Sequence, residues 1–98
     1  MKIGLLAHIE AKPEHADEVE AMLRGAVELA ENEPGTVTWY SFRQNATTFG
    51  VFDTFDDEQG RQSHLEGKIA AALMGSAETM LSSAPVITKI ELLGAKTA

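Results

Sequence analysis

Asp53 and His64 are the side chains of this chain best suited to moving a proton. Asp53 lies in the run Phe49-Gly50-Val51-Phe52-Asp53-Thr54-Phe55, where strand alternation puts its carboxylate in one row with Phe49, Val51 and Phe55. A charge buried in such a row is costly without a polar partner. His64 is the candidate partner, because it sits in the helical segment that must fold back over this strand. A carboxylate that orients an imidazole and raises its basicity is a recurring acid-base device, which would make His64 the base and Asp53 its orienting group. The plain alternative is that Asp53 lies near the strand end, accepts backbone donors or water and does no chemistry, while His64 is a half-buried helix residue.

The rest of the composition narrows what such a pair could be part of. A chain of 98 residues is long enough for one core and too short for two, so residues 1–98 form a single domain. Without cysteine there is no disulfide framework, thiolate metal cluster or thiol nucleophile, and three scattered histidines make a poor zinc set. No glycine-rich phosphate loop, dinucleotide fingerprint or metal motif is present, so no cofactor is expected. A net charge of -7 with no basic run repels phosphate backbones and anionic lipid, which argues against nucleic acid and membrane as partners. No apolar stretch is long enough to span a bilayer, and the default expectation is a cytoplasmic protein.

The elements that must position the pair follow from periodicity. Lys2 to Lys12 alternates, with Ile3, Leu5, Ala7 and Ile9 pointing one way and Leu6 and His8 the other. Pro13 closes that strand. Val19, Leu23, Ala26, Val27 and Ala30 share one face of a helix over residues 14–32, weakened at Gly25 and ended by Pro34-Gly35. Thr36 to Gln44 and Thr48 to Phe55 are rich in β-branched and aromatic residues and read as a hairpin. Asp56 is the expected N-cap of a second helical region, with Gln59 completing a capping box, Gly67 and Gly75 breaking it, and Leu65, Ile69, Ala72, Leu73 and Met80 on its buried side. Val86 to Leu93 is the last strand.

The resulting βαββαβ order is the ferredoxin-like α+β arrangement, an antiparallel sheet with helices on one face. Val37, Trp39 and Ser41 join the row toward the helices. The other face would carry Leu6, His8, Tyr40, Phe42 and Phe52, a contiguous apolar set that a second copy of the sheet would cover, giving a homodimer. His15 is expected in solvent, Arg43 and Arg61 are expected to pair with the surplus carboxylates, and Met22, Met74 and Met80 to serve as adaptable packing. Trp39 reads equally as core filler or as a ring stacked on a ligand.

Lys12-Pro13-Glu14, Glu33-Pro34-Gly35, Trp39, Asp53-Thr54-Phe55 and His64 together resemble the antibiotic-biosynthesis-monooxygenase family of dimeric α+β barrel proteins. Members show a strand-ending Lys-Pro-Gly, an acidic residue with Pro-Gly, a Tyr four residues past that Gly, Glu-x-Trp on the third strand and a His nine residues beyond the Trp. The resemblance runs from about Ile3 to Leu93. The family's frequent second His is Ile69 here. Polyketide-tailoring members carry an Asn where this chain has Val51 and a Trp where it has Phe55. Haem-degrading relatives use an Asn, a Trp and a His where this chain has Ala7, His64 and Met74 or its neighbour, which argues against haem cleavage. What the resemblance transfers is Asp53, His64 and an aromatic wall from Trp39 and Phe55, with Val51, Ala7 and Leu73 completing a pocket for a small apolar or aromatic organic molecule.

By that resemblance the protein is a cofactor-independent monooxygenase acting on a quinol-type or enolisable substrate. The base withdraws a proton, and the electron-rich carbanion reacts with dioxygen. Two other readings use the same pocket: an isomerase that moves a proton without oxygen, and a non-enzymatic dimeric ligand-binding or stress-related protein.

Overall fold

The computed structural model describes residues 1–98, and the alternating N-terminal segment is strand β1 (Ile3–Glu10), with Leu5, Ala7 and Ile9 buried and Leu6 and His8 exposed. Pro13–His15 is one turn of 3-10 helix, followed by α1 (Ala16–Gly25) and α2 (Val27–Glu31). The helix expected as one piece is thus two, interrupted at Ala26. Gly25, just before the break, is the weakest helix former of the segment, and a Cβ built on it would meet nothing within 4 Å. Beyond the break Ala26 and Ala30 stay buried while Val27, expected inward, is 40% exposed.

Strands β2 (Thr36–Arg43) and β3 (Thr48–Phe55) form the hairpin. Asn45 Oδ1 organises its turn by accepting the backbone N–H groups of Thr47 at 3.0 Å and Thr48 at 2.9 Å. Helix α3 (Glu58–Leu65) is capped by Asp57, whose Oδ1 accepts the Gly60 N–H at 2.9 Å. Asp56, the cap expected from sequence, pairs instead with the amino terminus of Met1. Helix α4 (Lys68–Met80) begins after Gly67 and runs straight through Gly75. Gly75 sits on the exposed side with open space around it, so it neither strains nor interrupts the helix. Ile69 and Leu73 are the buried residues of α4, whereas Ala72 and Met74, both expected to pack, face solvent. Strand β4 (Val86–Glu91) ends the fold.

The strands pair antiparallel in the order β2-β3-β1-β4, the ferredoxin-like α+β topology, with the helices covering one face. The core lies between that face and the helices and is built on Ile9, Val19, Leu23, Phe49, Val51 and Leu73. A bulge between Thr36 and Thr38 turns Val37, expected inward, out to 45% exposure and restores the parity that sends Trp39 and Ser41 inward. On the opposite face Leu6, Tyr40 and Phe42 are 42%, 55% and 41% exposed, and Tyr40 stacks on Phe52 with ring centroids 6.2 Å apart. No helix is long and apolar enough to cross a membrane.

Candidate active site

Asp53 lies on β3, flanked by Leu5 on β1 and Trp39 on β2, and is 1% exposed. Asp53 is two residues from the end of β3, and its Oδ2 faces the imidazole of His64 rather than a backbone donor. Its partner is delivered by α3, which approaches the turn before β2 closely because two glycines meet. A Cβ on Gly60 would lie 2.8 Å from the Gly35 carbonyl oxygen, and one on Gly35 would lie 2.9 Å from Gly60 Cα. His64 is one helical turn beyond Gly60 and shares its face, so the same contact points the imidazole at β3 and brings Glu33 beside it.

His64 is held from both sides. Its Nε2 lies 2.9 Å from Asp53 Oδ2 and its Nδ1 lies 2.6 Å from Glu33 Oε1. Both ring nitrogens thus face a carboxylate, an arrangement that favours the doubly protonated imidazolium, in which each nitrogen can donate. Burial is the strongest single influence on His64 and opposes its charge. The hydrogen bonds to Asp53 and Glu33, with their charges, together outweigh burial and raise the His64 pKa above the usual histidine value. Phe55 packs against the ring with centroids 5.5 Å apart. Glu33 Oε1 also accepts the Thr36 hydroxyl at 2.8 Å.

The remaining atom is Asp53 Oδ1, which is buried without a hydrogen-bond partner. The carboxylate forms part of the wall of a small cavity of about 30 Å³, with His64, Leu5, Ala7, Val51 and Leu73 among its other lining residues. A larger apolar cavity of about 150 Å³ opens between α1, α2 and α4, and Val51, Ile69 and Leu73 border both. On its far side His64 borders an open polar cleft of about 470 Å³ together with Glu33, Asp57 and Ser63. One imidazole thus separates a polar cleft from an apolar interior. Because the ring lies between the two carboxylates, the three groups form a chain rather than a shell converging on one ion, and no set of three acidic or imidazole side chains is arranged to hold a metal.

Of the residues singled out from sequence, Ala7, Val51 and Leu73 line the small cavity with Asp53 and His64, and Trp39 and Phe55 do not. Phe55 is wholly buried and supports the imidazole from the side, while Trp39 packs against both apolar clusters of the core and borders a surface groove with Val27 and Thr36. Neither ring forms a wall of the small cavity, whose apolar lining is aliphatic. Glu33 was legible only as part of a turn, and its role as second partner of His64 was missed. Arg43 pairs with Glu20 at 2.9 Å and Arg61 with Glu58, so neither is free to take a substrate anion. His8 and His15 make surface pairs with Glu10 and Glu18.

The family model described as antibiotic biosynthesis monooxygenase matches residues 2–74. The chain belongs to that family. A solved structure of a protein of unknown function from Nitrosomonas europaea is similar at 49% sequence identity and a TM-score of 0.95, with 99% of this chain and 94% of that one covered. A protein from Mycobacterium tuberculosis is similar at 11% identity and a TM-score of 0.85, covering 99% and 100%. A structure named antibiotic biosynthesis monooxygenase is similar at 17% identity and a TM-score of 0.80, covering 94% and 99%. The last two show the shared fold. No curated protein matches the chain. Membership in the antibiotic biosynthesis monooxygenase family supports a monooxygenase-like function. In this member Asp53, His64 and Glu33 form a carboxylate-imidazole-carboxylate chain.

Proposed function

We propose that the protein is a monooxygenase-like enzyme in which the Asp53 carboxylate withdraws a proton from an activated C–H of a small, largely apolar substrate. The observation that carries this reading is the unpartnered, buried Oδ1 of a carboxylate on the wall of an apolar cavity. The sequence points to His64 as the base; because both of its nitrogens face carboxylates, we assign that role to Asp53, whose Oδ1 has no partner. His64 becomes the fixed positive charge behind the base, and Glu33 and Phe55 hold it there.

In the proposed step Oδ1 takes the proton and the electron pair stays on the substrate as a resonance-stabilised carbanion. Dioxygen accepts those electrons as a C–O bond forms, giving a peroxide anion. The proton returns from Asp53 to the distal oxygen, and loss of water leaves a carbonyl, so that a CH₂ group and O₂ become C=O and H₂O. The apolar lining raises the strength of every charge interaction at the site by excluding water. The small cavity admits about one water, so the body of the substrate would occupy the larger apolar chamber, with rotations of Ile69 and Leu73 joining the two. The favoured substrate is thus a compact anthrone or 1,3-dicarbonyl compound.

We also propose that a second copy covers the apolar face carrying Leu6, Tyr40, Phe42 and Phe52, giving a homodimer with the two active sites on the outer, helical sides. Dioxygen uptake with a panel of quinols, anthrones and phenols, in the absence of added flavin, haem or metal, tests the activity. Uptake lost in Asp53→Asn supports the oxygenase. Product without uptake selects isomerisation, and saturable binding without turnover selects a container.

A further inference from the structure

We infer that Glu33 is the positioning residue that keeps His64 cationic while Asp53 holds the substrate's proton. The inference rests on the reading of Asp53 as the base. Before reaction the imidazolium lies between two carboxylates, at 2.9 Å and 2.6 Å. When Oδ1 takes a proton, Asp53 becomes a neutral acid. Its Oδ2 still accepts the Nε2–H, but the negative charge on that side of the ring has passed to the substrate. At that stage the ring must stay charged to oppose the substrate anion, because the other walls of the cavity, from β1, β4 and α4, are Leu5, Ala7, Ile87, Ile69 and Leu73.

Glu33 is the one other carboxylate in contact with His64, and it borders the polar cleft. Its side chain is 20% exposed toward the polar cleft, whereas that of His64 is only 7% exposed, so water can stabilise the outer carboxylate without reaching the inner one. The Thr36 hydroxyl fixes Oε1, and Oε2 lies close against Gly67, where a Cβ would come within 3.0 Å of it. Arg61, the nearest cation on the same helix, is directed away toward the carbonyls of Gly4 and Ile90 and toward Glu58. The site therefore pairs an inner, buried carboxylate with an outer one open to the cleft, and the imidazole lies between them. Without Glu33, burial would be opposed only by the contact with the neutral acid, which pushes the ring toward losing its proton when its charge is needed.

The test substitutes a permanently neutral group for the transiently neutral acid. The His64 ring is titrated by nitrogen-15 NMR in the Asp53→Asn protein and in Asp53→Asn/Glu33→Gln. A role limited to packing would alter stability and leave the titration where it is. The expected result is that adding Glu33→Gln lowers the protonation constant of His64 by about tenfold or more, as loss of a charge-assisted hydrogen bond implies. A change below about twofold would overturn the inference, since Glu33 would then contribute too little of the charge-assisted stabilisation. Should the double variant not fold, Glu33→Gln in the otherwise native protein gives the same titration, with a lowered His64 constant expected and an unchanged one contradicting. No substrate enters the measurement, so its failure is distinguishable from failure of Asp53 as base, which oxygen uptake reports.

Discussion

Replacing His64 with leucine should cost about 3–5 kcal/mol of stability at pH 7, the loss found when one partner of a buried ion pair is removed. Leucine is close to imidazole in volume, and its neighbours would be Leu5, Ile69 and Leu73, so the packing part of the change should stay under roughly 1.5 kcal/mol. The rest arises at Asp53, which is 1% exposed, already lacks a partner at Oδ1 and would lose its partner at Oδ2. For a domain stable by about 5–15 kcal/mol this is a large fraction. Because the penalty is electrostatic it carries a pH signature. A buried carboxylate without a partner takes up a proton, so the folded variant binds more protons than the unfolded chain, and its stability recovers as pH falls. Urea unfolding followed by the fluorescence of Trp39, the single tryptophan, measures this at pH 5 and pH 7.5. In Asp53→Leu/His64→Leu most of the loss should disappear, since apolar residues replace the pair and Glu33 can turn to the cleft. A loss under about 1 kcal/mol in His64→Leu with no recovery at low pH, or a double variant as unstable as the sum of its singles, would refute the assignment of a charged pair.

Three further outcomes follow from the same geometry. In the native protein the folded-state pKa of His64 is raised, so its stabilisation is complete below the unfolded value of roughly 6.5 and is lost as pH rises through the folded value; urea midpoints should fall on the alkaline side, and that fall should vanish in His64→Gln. Gly60→Ala places a methyl 2.8 Å from the Gly35 carbonyl oxygen, a backbone atom that cannot rotate away, and should cost about 1–3 kcal/mol while lowering the His64 pKa as α3 is pushed from Glu33; an unchanged titration would show that the glycine contact does not set the pair. Phe52→Lys puts an ammonium on the apolar sheet face beside Tyr40 and should yield monomer or aggregate in sedimentation, whereas a well-folded dimer would contradict the sheet-to-sheet assembly.

The strands were legible because their periodicity is strong: Thr48–Phe55 has the same bounds in sequence and structure, and its parity alone puts Asp53 in the buried row. Helix ends were less so. Asp56 and Asp57 are both good caps that no local pattern separates; Asp57 caps the helix while Asp56 meets the amino terminus of Met1, 55 positions away. Val37 was misassigned because a bulge changes parity without leaving a mark in composition. At the site, a carboxylate in an apolar row announced that it needed a polar partner, and the following helix offered His64. Glu33 gave no such signal: it stands in a polar turn, and its contact with His64 depends on the backbone approach of Gly35 and Gly60 across 25 residues. The proposed division of roles between Asp53 and His64 was not legible either, because it rests on both ring nitrogens facing carboxylates.

Exchange of substrate C–H for deuterium under nitrogen tests proton withdrawal by Asp53 most directly, since it needs neither oxygen nor turnover to product. Anthrones and 1,3-dicarbonyl compounds are incubated in deuterated buffer and followed by proton NMR. The native protein should accelerate loss of the activated C–H signal for at least one compound, Asp53→Asn should return the rate to that of buffer, and Glu33→Gln should fall between them. Acceleration that persists undiminished in Asp53→Asn would contradict the account.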